Sequence, residues 1–102
     1  MKRMLVLAML LLVANRAYAL EHVVAKVTLV EATYVPAAVA FILSKGTVSC
    51  PAGKFLFWER SAENNKAVYA MLMAALIGGN KIQVVFNDGD TGCVPQYLHL
   101  VE

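Results

Sequence analysis

The stretch SAENNKAVYAMLMAALIGGNKIQVVF, Ser61–Phe86, decides the fold. Ser61 is a good N-cap, and Glu63 follows in the first turn, where the helix dipole favours a negative charge. Ala67, then Ala70 through Leu76, are strong helix formers. Gly78 and Gly79 supply a left-handed stop. The pattern then changes period: Ile82, Val84 and Phe86 alternate with Lys81, Gln83 and Val85. A helix over Ser61–Ile77 running almost directly into a half-buried strand over Asn80–Phe86 is expected.

That helix is too apolar for a lone small domain. Val68, Met71, Leu72, Ala75 and Leu76 form one stripe at helical spacing. The opposite side should be charged, yet it carries Tyr69, Ala70, Met73, Ala74 and Ile77. A helix apolar all round is buried on both sides. A domain with one core covers one side, so Tyr69, Ala70, Met73 and Ile77 are expected to form an interface in a homo-oligomer. The competing explanations are that the Glu31–Pro36 loop covers this face, or that it stays as a tolerated patch.

Outward from the helix the chain reads as strands and turns. His22–Val30 alternates, with Val23, Ala25, Val27 and Leu29 on one face. Glu31–Pro36 is a break, and Val35 precedes a proline, which disfavours helix there. Ala37–Leu43 is apolar, Ser44–Gly46 is a turn, and Thr47–Cys50 is a short β-prone stretch. After a second turn at Pro51–Lys54 comes the richest aromatic segment, Phe55–Glu59, with Phe55 and Phe57 on one face and Leu56 and Trp58 on the other. Beyond the helix and its strand, Asn87–Gly92 is a polar loop. Cys93–Val101 closes the chain as a strand, with Tyr97, His99 and Val101 facing one way and Leu98 and Leu100 the other. The expected order is four strands, one helix and two strands, a mostly β fold with one helix.

The amino terminus adds a location. Met1-Lys2-Arg3 is basic, the apolar run Met4–Ala14 is 11 residues long, and Ala17-Tyr18-Ala19 is small-x-small. A bilayer-spanning helix needs about 20 apolar residues. Residues 1–19 therefore read as a cleavable signal peptide rather than an anchor, and 20–102 as a single domain. The expected location is secreted or periplasmic, not membrane-spanning. Removal of Lys2, Arg3 and Arg16 leaves six Lys/Arg against seven Asp/Glu, a formal charge of −1. The remaining cations are scattered singly, which argues against a nucleic-acid partner.

An 83-residue remainder is marginal on its core alone. Its only cysteines are Cys50 and Cys93. In an exported chain an even count reads as a disulfide. Closing a loop of this size contributes about 4 kcal/mol in the chain-entropy account. No C-x-x-C motif is present, and two distant thiols without paired histidines do not make a zinc site.

Catalysis finds little support. His22 and His99 lie near opposite ends of the domain with no nucleophile context. Asn87-Asp88-Gly89-Asp90 has the flavour of a calcium loop but lacks the six to eight oxygens and terminal Glu of one, so it reads as a turn. No catalytic residue, metal ligand or cofactor is assigned. Trp58, Tyr34 and Tyr97 could stack on a sugar or base, and Trp58 and Tyr97 are the candidate ligand-binding residues; core or oligomer contact is the rival role for such aromatics.

The stretch Thr47–Glu102 resembles the B subunits of AB5 bacterial toxins, of the Shiga-toxin and subtilase-cytotoxin type. The resemblance is carried most by Ala67–Glu102: a small-residue-rich helix ending Ala74-Ala75-Leu76-Ile77-Gly78-Gly79, then Lys81–Phe86, a polar loop, Cys93 and a final strand. It implies an OB-fold-like barrel of five to six strands closed by one disulfide. It also implies self-association through the helix around a central pore, and glycan binding on the barrel. The expected function is an exported, non-enzymatic, self-associating module that binds a glycan or a protein. The alternative is a periplasmic structural or inhibitory protein.

Overall fold

A computed structural model describes residues 20–102; the expected leader, 1–19, lies outside the described residues. The elements are β1 (Leu20–Glu31), β2 (Val39–Leu43), β3 (Leu56–Trp58), α1 (Ala62–Gly78), β4 (Lys81–Asn87) and β5 (Tyr97–Val101). All pairings are antiparallel, and the strand order is β3-β2-β1-β4-β5. The sheet curls into a half-barrel, with α1 placed between the third and fourth strands and lying chiefly against β1. This is the mostly β, OB-like arrangement with one helix.

The long central strand β1 serves two neighbours in succession. Leu20 to Lys26 pair with Asn87 to Lys81 of β4, whereas Val27 to Glu31 pair with Leu43 to Ala40 of β2. The register slips between Val27 and Leu29. A slip of this kind bends a strand and increases its twist. The core fills the concave side with Val23, Ala25 and Val27 of β1, Val39, Phe41 and Leu43 of β2, Leu56 and Trp58 of β3, Ile82, Val84 and Phe86 of β4, and Val68, Leu72 and Ala75 of α1.

The helix begins and ends where its caps dictate. The Ser61 hydroxyl accepts from the Asn64 N–H at 3.2 Å, and Gly79 takes the left-handed conformation at φ 71°. Two expected strands differ. Thr47–Cys50 is not a strand: the Thr47 N–H donates to the Cys50 carbonyl at 2.8 Å, closing a turn. Gly46 makes that turn possible, because a Cβ there would collide with the Cys50 carbonyl oxygen and the backbone of Pro51 and Ala52. The last strand starts at Tyr97 rather than Cys93. Cys93 has φ 56°, outside the extended region, and Pro95 has no N–H to give a ladder. Three strands therefore precede the helix, not four.

Cys50 and Cys93 are disulfide-bonded, with Cα atoms 5.6 Å apart. The bond joins the β2–β3 loop to the β4–β5 loop. One polar side chain is also fully buried: Asn65. Its Nδ2 donates to the carbonyls of Pro36, Ala37 and Arg60 at 2.7, 3.0 and 3.2 Å, and its Oδ1 accepts from the Arg60 N–H at 2.9 Å. Asn65 thus clasps the β1–β2 turn and the β3–α1 connection to the helix. Orphaning a buried polar group costs about 1–3 kcal/mol, and several are stranded together here, so Asn65→Ala should lower the unfolding free energy in urea by about 3 kcal/mol. A loss below about 1 kcal/mol would contradict the clasp.

Candidate functional site

The outer face of β3 is built by simple alternation. Leu56 and Trp58 point into the core, so Phe55, Phe57 and Glu59, two residues apart, face outward. Phe55 and Phe57 are each 43% exposed. Tyr34, from the turn after β1, stands beside Phe57 with ring centroids 6.4 Å apart and planes at 53°. Phe55 and Phe57 have the same centroid separation, 6.4 Å, at 33°. The three rings therefore form one exposed aromatic surface. Isolated apolar side chains on a surface need no explanation, but a contiguous group does.

Two hollows flank Phe57. One, of about 430 Å³, is lined by Phe55, Phe57, Glu59, Arg60 and the Gly92–Val94 segment of the β4–β5 loop. The other, of about 290 Å³, is lined by Tyr34, Ala37, Ala38, Phe57 and Glu59. Phe57 and Glu59 are common to both. The surface therefore joins β3 with the β1–β2 and β4–β5 loops, the region OB barrels use for oligonucleotides and oligosaccharides.

Local bonding holds these parts still. Both Asp90 carboxylate oxygens accept from their own loop, from the Gly92 N–H at 2.9 Å and the Val94 N–H at 3.1 Å. Lys54 Nζ donates to the Thr91 carbonyl at 3.1 Å. The Arg60 guanidinium lies 4.2 Å above the Trp58 ring and donates to the carbonyls of Glu59 at 2.9 Å and Pro95 at 3.2 Å. Arg60 is thus occupied in bridging β3 to the β4–β5 loop. The Glu59 carboxylate has no hydrogen-bond or ion-pair partner among the described residues.

Each residue singled out in the sequence has a definite place. Trp58 is only 7% exposed; its Nε1–H donates to Asn64 Oδ1 at 2.7 Å and Arg60 covers its ring. Tyr97 is 57% exposed at the start of the edge strand β5. Trp58 and Tyr97 line neither hollow. On the helix, Ala70 and Ala74 are exposed and Ile77 is 79% exposed, whereas Met73 is half-buried and Tyr69 packs against the core. Phe55, Phe57, Glu59 and Arg60 were not singled out. Their signal lay in the two-residue alternation of Phe55–Glu59, but both of its faces are aromatic, so the pattern does not say which faces out.

A second polar cluster lies at the start of β1. Glu21 Oε2 accepts from Ser49 Oγ and from the Gly89 N–H, each at 2.8 Å, tying β1 to both loops that carry the disulfide. The nearby Thr47 hydroxyl, then the Gly89 and Ser49 hydrogen bonds, hold the Glu21 carboxyl down to about 2. Glu21 Oε1 is buried without a partner of hydrogen-bonding geometry. The hollow beside Glu21, about 600 Å³ and wide open, is lined by Leu20, Val48, Ser49, Asp88 and Gly89 among others. The cluster reads as a latch between three segments.

Comparison with known protein families, curated sequences and solved structures finds no match. Among the described residues, no helix is long and apolar enough to cross a membrane.

Because the Glu21 carboxyl is lowered on folding, its contribution to stability is present above the unfolded value of 4.5 and is lost as pH falls toward 2. The stability difference between the native chain and Glu21→Gln should stay constant from neutral pH to about 5, then shrink through the window down to 2. A difference that does not change below pH 4.5 would remove Glu21 as the latch.

Proposed function

We propose that this chain is an exported, non-enzymatic binding module that takes a glycan on the outer face of β3. The observation that carries this is the row Phe55–Phe57–Glu59 standing outward beside Tyr34, with a hollow on each side of Phe57. A sugar ring has an apolar C–H face and a hydroxyl edge. Aromatic rings meet the first, and a partner-free carboxylate such as that of Glu59 accepts from the second. Ligand sites of this kind combine apolar walls with a few placed polar groups. The absence of clustered cations argues against a phosphate backbone as ligand.

Export is supported by the leader-like residues 1–19 and by the disulfide, a bond of oxidising compartments. The strand order and the helix between the third and fourth strands support the likeness to AB5 toxin B subunits, and with it self-association through the helix. Ala67, Ala70, Ala74 and Ile77 form an exposed stripe three or four residues apart, which is where the copies would meet. The same stripe also favours the alternative, a periplasmic structural or inhibitory protein that works by contact with another protein.

Two experiments separate these readings. On an immobilised glycan panel, Phe57→Ala should abolish retention at unchanged far-UV dichroism, and Trp58→Ala should act only through lost stability. Retention of no glycan by the native chain defeats the proposal. In light scattering after size exclusion, residues 20–102 should give a multiple of the monomer mass, and Ile77→Glu should return it to monomer. A native monomer at high micromolar concentration removes self-association.

A further inference from the structure

The smaller hollow on β3 has a more particular chemistry than the surface around it. Its walls are the Tyr34 and Phe57 rings, set at 53° to each other with centroids 6.4 Å apart, so they open as a V. Ala37, Ala38 and Glu59 complete its lining. Glu59 is the only charged residue lining it, and that carboxylate has no partner among the described residues. The nearest cation in sequence, Arg60, lines the other hollow and is held over Trp58 by its bonds to Glu59 and Pro95 carbonyls. Two aromatic rings and one unpartnered acidic residue therefore line the notch. Ring faces attract cations, most strongly alkylated ammonium groups, whose diffuse charge and methyl surface suit both walls.

We propose that the Tyr34–Phe57–Glu59 notch binds an organic ammonium group. The volume of about 290 Å³ suits a headgroup rather than a whole oligosaccharide, so the notch takes one charged end of a longer ligand whose body lies across Phe57 and Phe55. The inference rests on the reading of this face as the ligand surface and adds the charge of what binds there. Anionic sugars are disfavoured at this end by Glu59. The ammonium can come from an amino sugar or from a choline-type headgroup, which present the same charge to the notch.

The test is an amide-resonance NMR titration of residues 20–102 with four small probes: choline, its uncharged isostere 3,3-dimethylbutan-1-ol, glucosamine and glucose. Choline or glucosamine should shift the Tyr34, Ala37 and Phe57 resonances saturably, and the uncharged counterpart should bind about tenfold more weakly, the size of one cation–π and charge contribution. Glu59→Gln should remove the same factor, and because Glu59 is exposed and unbonded the variant should keep its dichroism and melting temperature. Phe57→Leu should also weaken the cation while leaving an apolar wall. Tighter glucosamine than choline would place the ammonium on an amino sugar; the reverse would place it on a choline headgroup. The inference is overturned if the isostere binds as well as choline and glucose as well as glucosamine, if Glu59→Gln changes nothing, or if no ammonium shifts the notch. If glucose shifts Phe55 and Phe57 while no ammonium does, glycan binding stands and the ammonium site falls. If choline binds and no sugar does, the ammonium site stands and the glycan falls.

Discussion

The half-barrel depends on β1 changing partners along its length. Its first seven residues are held by β4 and its last by β2, with the register slipping between Val27 and Leu29. A flat strand cannot serve two neighbours this way and also keep one face on a common core. The slip supplies the bend, and Val23, Ala25 and Val27 still point inward on the near side of it. Small Ala25, 1% exposed, belongs to this strand, the one the helix chiefly lies against. The two ends of the sheet are thereby turned toward each other without being joined by a backbone ladder.

That open side is where the remaining constraints collect. β3 and β5 are the two edges of the sheet and are not hydrogen-bonded to one another. The loops beside them are cross-linked by other means: the Cys50–Cys93 disulfide, the Lys54 bond to Thr91, the Arg60 bond to Pro95, and the Glu21 bonds to Ser49 and Gly89. Loops fixed from several directions lose little further entropy when a ligand arrives. The aromatic face of β3 and the Gly92–Val94 segment are therefore set in place by the same contacts that hold the barrel's open side. The barrel's open side and the aromatic face share one set of bonds, so loss of the disulfide would disturb both.

How far the sequence could be followed differs from element to element, for physical reasons. The helix was legible to within one residue at each end because its limits are local: a serine cap, an acidic first turn and a left-handed glycine. β4 was legible because its two faces differ, one wholly apolar and the other carrying Lys81 and Gln83. The Thr47–Cys50 turn was not, since β-branched residues favour extended structure while a close backbone approach at Gly46, invisible in composition, overrides them. The Cys93 end of β5 failed for a similar cause: the disulfide and the Asp90 loop hold Cys93 at positive φ. Asn65 is one of several polar residues in the helix, and its role appears only when two distant carbonyls, of Pro36 and Ala37, and the nearby one of Arg60 meet it. On β3, Trp58 is the largest aromatic, and its size and an indole N–H with a partner in reach favour burial, so the smaller Phe57 is left outside.

Among the described residues, the helix stripe and the outer face of β3 are both exposed and apolar, and they differ in kind. The helix stripe is made of alanines and Ile77, shallow side chains with no polar group among them, suited to the close approach of another flat surface. The β3 surface is made of rings with hollows between them and one unpaired charge. A flat partner would leave those hollows empty and would bury the Glu59 carboxylate without compensation, which costs more than the rings recover. A small ligand that fills a hollow and brings donors or positive charge to Glu59 avoids both penalties. The unpartnered carboxylate thus disfavours a flat partner on the strand and leaves the helix stripe as the surface better suited to one.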